Sequence, residues 1–78
     1  MQKELNERIV INPAIMTGKP IIRGTRIPVD LIVKLIAQGM TMQEILDDYP
    51  QLTKNDIRAA LEYVAEIIRG EDVFPIKE

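Results

Sequence analysis

The chain has 78 residues, a net charge of −2 and neither cysteine nor histidine, which excludes disulfides and the usual zinc sites. Serine is absent as well, so no ordinary nucleophile–base pair and no imidazole general base can be assembled. The acidic residues fall at helix starts and on outer helical faces, and the expectation is a binding protein rather than an enzyme, with no cofactor.

A single core in so short a chain supplies only about 3–5 kcal/mol. With covalent and metal staples excluded, association is the remaining route to stability, and a homodimer is expected. No stretch approaches the roughly 18 consecutive apolar residues of a membrane span, and the polar start Met1–Arg8 lacks the apolar centre of a signal peptide. A cytoplasmic protein that does not enter a membrane is the expectation. Charge is divided unevenly. Residues 1–40 carry six Lys/Arg against three Asp/Glu, a net of +3, and residues 41–78 carry four against nine, a net of −5. Such a division suits two partners, or one partner and a self-interface; it also suits unremarkable surface charge.

Arg8-Ile-Val-Ile-Asn12 is β-branched and closed by Asn12-Pro13, which favours an extended strand ending in a turn. Thr17-Gly18-Lys19-Pro20 is a second turn, and two short extended pieces, Pro20–Arg23 and Thr25–Pro28, flank Gly24. Strands this short are expected to pair only weakly within one chain, leaving edges on which a second copy could add.

The first helix is predicted over Val29–Gln38. Pro28 suits its start, Asp30 faces the positive end of its dipole, and Gly39 stops it. Its stripe is Val29, Ile32, Leu35 and Ile36, widened by Val33. Thr41-Met-Gln-Glu44 has the spacing of a capping box and opens a second helix, Met42–Tyr49, which Pro50 ends. Thr53-Lys-Asn-Asp56 is a second start signal. Ile57, Ala60, Leu61, Val64, Ile67 and Ile68 then hold a helical stripe over Lys54–Arg69, closed by Gly70. The tail Glu71–Glu78 cannot continue through Pro75, yet holds Val73, Phe74 and Ile76. These three either fold back or dock elsewhere; because the chain's one phenylalanine is among them, docking is favoured.

The organisation expected is therefore mostly α: a β arm over residues 1–28 that serves dimerisation and carries basic groups, a three-helix helix-turn-helix over residues 29–70, and a tail over residues 71–78. In that layout the third helix is the recognition helix. Lys54, Asn55 and Arg58 lie on its outer face near the start, where Asn suits an adenine edge and Arg suits guanine or a phosphate. Lys19, Arg23 and Arg26, between and beside Gly18 and Gly24, suit phosphate or minor-groove contacts of an extended arm. The bland readings are that the glycines serve tight turns, that the arm's cations pair with carboxylates of a second subunit, and that the helix residues are solvated. Asp47 and Asp48 stand where the first helix of the motif would cross a phosphate backbone, and Glu62 follows Arg58 by one turn. All three oppose DNA.

The segment Gly18-Lys-Pro-Ile-Ile-Arg-Gly-Thr-Arg-Ile-Pro-Val29, followed by a helix and by Gly39-Met-Thr-Met-Gln-Glu-Ile-Leu-Asp-Asp-Tyr-Pro-Gln-Leu-Thr-Lys-Asn-Asp-Ile57, resembles the signature of a bacterial and archaeal family catalogued as a domain of unknown function. The match runs from Gly18 to Val64, 47 of the 78 residues. The resemblance implies a homeodomain-like or winged helix-turn-helix behind a small β element. It further implies, by likeness to VapB-type antitoxins, a DNA-binding protein that represses its own operon and holds a PIN-like toxin through a terminal segment, here Val73, Phe74 and Ile76. The alternative expectation is an interaction module that scaffolds or neutralises a partner protein without touching DNA.

Overall fold

Ile9 and Ile22 face each other across an antiparallel ladder and sit, 0% and 1% exposed, in the same core as the helices. The computed structural model of the protein describes residues 3–4 and 7–70. Strands β1 (Lys3–Glu4), β2 (Ile9–Ile11) and β3 (Pro20–Ile22) form one antiparallel sheet in the order β1-β2-β3. Val10 and Ile21 are the next cross-strand pair, and alternation sends them to the opposite face. They are as deeply buried as Ile9 and Ile22.

The strands pair with one another within the chain. Burial on both faces stabilises the ladder, and the β2–β3 connection is set locally. Asn12 Oδ1 accepts the Ala14 N–H at 3.0 Å and the Asn12 carbonyl accepts the Ile15 N–H at 2.9 Å. Strand β1, unanticipated in the polar start of the chain, exists through its backbone register with β2, Lys3 opposite Ile11 and Glu4 opposite Val10. The piece Thr25–Pro28 is not a strand. It touches β3 through an isolated bridge between Ile21 and Pro28 and a hydrogen bond from the Ile22 N–H to the Ile27 carbonyl.

Helix α1 spans Val29–Ala37, α2 spans Met42–Asp48 and α3 spans Lys54–Gly70. Gly39, at φ +96°, takes the left-handed conformation that ends α1. Its N–H donates to the Ile36 carbonyl and that of Met40 to the Leu35 carbonyl, the paired pattern of a Schellman stop. The Thr41 side chain accepts the Glu44 N–H, and Glu44 Oε1 accepts the Thr41 N–H, closing a reciprocal cap on α2. Thr53 and Asp56 repeat that exchange on α3 at 3.1 and 2.9 Å. At the far end the helix includes Gly70 rather than stopping before it.

Val29 and Ile32 of α1, Ile45 of α2, and Ile57, Ala59 and Ala60 of α3 close over Ile9, Ile22 and Ile27 as one buried cluster, with Leu52 of the α2–α3 turn tucked beneath. The molecule is thus a mostly α domain of three helices with a short N-terminal β arm, and β2 and β3 of that arm are part of the core. No helix among the described residues is long and apolar enough to cross a membrane.

Candidate nucleic-acid interface

Helix α3 sets the geometry. Its inner face is fixed by Ile57 and Ala60, both 0% exposed, so the 3.6-residue period turns Lys54, Asn55 and Arg58 outward, and all three are exposed. Its first turn is anchored from two directions. Asp56, only 8% exposed, accepts the Thr53 N–H and also pairs with Arg8, whose Nη1 lies 3.0 Å from Asp56 Oδ1. The start of β2 is thereby tied to the start of α3.

Along this junction runs a groove of about 380 Å³ lined by Glu7, Arg8, Asn55, Arg58, Ala59 and Glu62. The structure brings Asn55 and Arg58 together there. It also brings Arg8, which the sequence offers only as a strand end, and two carboxylates, Glu7 and Glu62. Arg23 stands one strand away: its N–H donates to the Arg8 carbonyl at 2.8 Å. Of the groove's two guanidinium groups, that of Arg8 already faces Asp56, and Arg58 shares the wall with both glutamates.

The remaining basic residues of the arm diverge. Lys19 Nζ lies 3.4 Å from Asp30 Oδ2 of α1, with both side chains largely in water. Arg26 is exposed and lines a second, open cleft of about 570 Å³ with Ile15, Ile21, Gly24, Thr25, Ile27, Tyr49 and Gln51. That cleft lies between the loop after β3 and the turn before α3. Lys19, Arg23 and Arg26 therefore do not form one continuous basic arm.

Gly24 and Thr25 have a structural task in this cleft. The Thr25 N–H donates to the Ile22 carbonyl at 3.0 Å with Gly24 at φ +79°, the conformation that a type II turn requires at its third position. Thr25 Oγ1 then donates to the Ile22 carbonyl and accepts the Ile27 N–H, at 2.8 and 2.9 Å. Of Gly24-Thr25-Arg26, only Arg26 is left to meet a ligand. Among the described residues no cluster of three or more acidic side chains could hold a metal ion. Val73, Phe74 and Ile76 lie outside the described residues.

The sequence profile of the family described as "Protein of unknown function (DUF433)" matches residues 9–64. An uncharacterized protein of Sinorhizobium fredii, y4eO, is 35% identical over 65 residues, covering 82% of this chain and 29% of its own length. An uncharacterized protein of Archaeoglobus fulgidus is 55% identical over 29 residues, 37% of this chain and 81% of that protein. The crystal structure of a DUF433 member protein from Anabaena variabilis superposes with a TM-score of 0.76 at 38% identity, over 83% of this chain and 64% of that one. The chain thus spans under a third of y4eO and less than two thirds of the Anabaena protein.

Proposed function

The chain belongs to the DUF433 family of proteins of unknown function, and from that premise we propose that it is a DNA-binding regulator of the antitoxin type, acting as a homodimer rather than as an enzyme. The observation that carries the reading is the outward alignment of Lys54, Asn55 and Arg58 over the first turns of a buried-face helix, with Arg8 just before β2 on the wall of the same groove and Arg23, just after β3, hydrogen-bonded to its backbone. A helix presented this way enters the major groove with its N-terminal residues on base edges. Asn55 and Arg58 would read bases, Lys54 and Arg23 would contact phosphate, and Arg26 and Lys19 would meet the backbone at the flanks. Repression of its own operon and capture of a PIN-like toxin through Val73, Phe74 and Ile76 complete the reading, in the cytoplasm. They rest on the family likeness to VapB-type antitoxins.

A second reading rests on the groove's own carboxylates. Glu7 and Glu62 share its wall with Arg58, and Asp47 and Asp48 are exposed on α2, where a phosphate backbone would pass. Both features suit a protein partner with mixed charge.

Fluorescence anisotropy against the chain's own upstream DNA and a random duplex, at about 50 and 200 mM salt, separates the two readings. Preference for its own DNA that falls steeply with salt and is lost in Arg58→Ala and Arg23→Ala supports the regulator. Absence of binding at both salts overturns it in favour of the interaction module.

A further inference from the structure

The apolar stripe of α3 outruns the core. Ile57 and Ala60 are fully buried, and Leu61 and Val64 are half covered by the core. Beyond them, every residue of Ala65–Gly70 except Ile67 is exposed, Ile68 by 68%. The cause is length. Helix α1 has 9 residues and α3 has 17, so at a rise of 1.5 Å per residue α3 projects roughly 12 Å further. Leu61, Val64, Ala65 and Ile68 keep the i, i+3, i+4, i+7 spacing of a helix–helix seam over that projection.

We infer that this stripe is the interface with a second copy of the chain, α3 packing antiparallel on α3 about a twofold axis close to Ala65. A twofold interface must be self-complementary, and this one is. Centring the pair on Ala65 sets Leu61 opposite Ile68 and Glu62 beside Arg69 of the other copy, each to within a residue. Charge fixes the orientation: a parallel pair would set Glu62 against Glu62 and Arg69 against Arg69. The small side chain of Ala65 at the crossing admits an axis separation at the close end of the usual range of about 8–10 Å. With α3 ending at Gly70, the two paired helices overlap over about residues 60–70 and stop short of Lys54, Asn55 and Arg58. This interface rests on the homodimer in the functional reading and is independent of DNA binding.

Sedimentation velocity on the full chain at about 50 µM, a concentration that populates modest interfaces, tests it. The expected species is a dimer. Ile68→Glu should weaken association at least about tenfold by placing a charge in the seam, with an unchanged helical circular dichroism spectrum. Glu62→Arg and Arg69→Glu should each weaken it, and the two combined should recover most of the loss. A dimer indifferent to Ile68→Glu, or a double swap no better than either single one, overturns the interface alone. A monomeric full chain overturns the interface and the homodimer together. If removal of residues 71–78 then produces a dimer, the chain's own tail covers the stripe.

Discussion

Arg8 and Asp56 lie 48 positions apart in the chain, and their side chains meet at 3.0 Å where the β arm joins helix α3. Asp56 serves two masters there, since the same carboxylate accepts the Thr53 N–H as the cap of α3. Asp56→Ala removes both contacts and should cost about 2–4 kcal/mol. Arg8→Ala should cost only about 1 kcal/mol, because its side chain is 41% exposed and Asp56 keeps its cap contact. Urea denaturation of the two variants checks the order. Equal losses would mean that the ion pair, rather than the cap, holds the junction.

The loop after β3 gives a second test, which separates structure from recognition inside one tripeptide. A Cβ at Gly24 would meet nothing within 4 Å, so Gly24→Ala should cost about 1–2 kcal/mol through the left-handed backbone alone. Thr25→Val should cost about 1–3 kcal/mol by deleting both hydroxyl hydrogen bonds. Arg26→Ala should leave thermal unfolding within about 0.5 kcal/mol of the parent and, on the proposed DNA-binding function, alter only DNA affinity. A large loss of stability in Arg26→Ala would place that side chain in the scaffold.

The helices were legible because their signals are local. Thr41 with Glu44, Thr53 with Asp56, and Gly39 each act within a few residues, and each forms the cap its spacing implies. The outward placement of Lys54, Asn55 and Arg58 follows from the helical period for the same reason. What escaped the sequence was non-local. Lys3-Glu4 carries no strand signal and pairs only because β2 offers an edge. The contact of Arg8 with Asp56, and the arrival of Glu7 on the wall that Arg58 lines, depend on how the sheet docks on α3. The pairing of Lys19 with Asp30 likewise depends on the β3–α1 connection, which is why the arm reads as one basic surface in sequence and divides in three dimensions.

The two ends of the α3 stripe should respond oppositely to truncation. Ile57 is 0% exposed, so Ile57→Ala opens a cavity and should cost about 2–5 kcal/mol, a large part of what a domain of this size has. Ile68 is 68% exposed, and under monomeric conditions Ile68→Ala should change stability by no more than about 0.5 kcal/mol. Chemical denaturation at low protein concentration measures both. A loss above about 1 kcal/mol for Ile68→Ala in the monomer would show that the helix end packs within its own chain.

The acidic wall of the groove makes the sharpest prediction about nucleic acid. If Asn55 and Arg58 face DNA, the Glu62 carboxylate on the same groove opposes the approaching phosphates. Glu62→Gln should then tighten binding several-fold at low salt, roughly the effect of removing one like charge near the surface, and the gain should shrink as salt screens the field. Lys54→Ala should act the other way, weakening all duplexes alike and lowering the salt slope by about 1. Because Glu62 is exposed and outside the core, folding does not explain a change in affinity, and sedimentation of Glu62→Gln separates an effect on the α3–α3 pair from one on the ligand. Anisotropy titrations of the two variants across a salt series measure both effects. Weaker binding in Glu62→Gln would mean that the carboxylate itself contacts the ligand, as it would on a protein partner, and would move the recognition surface from DNA to protein.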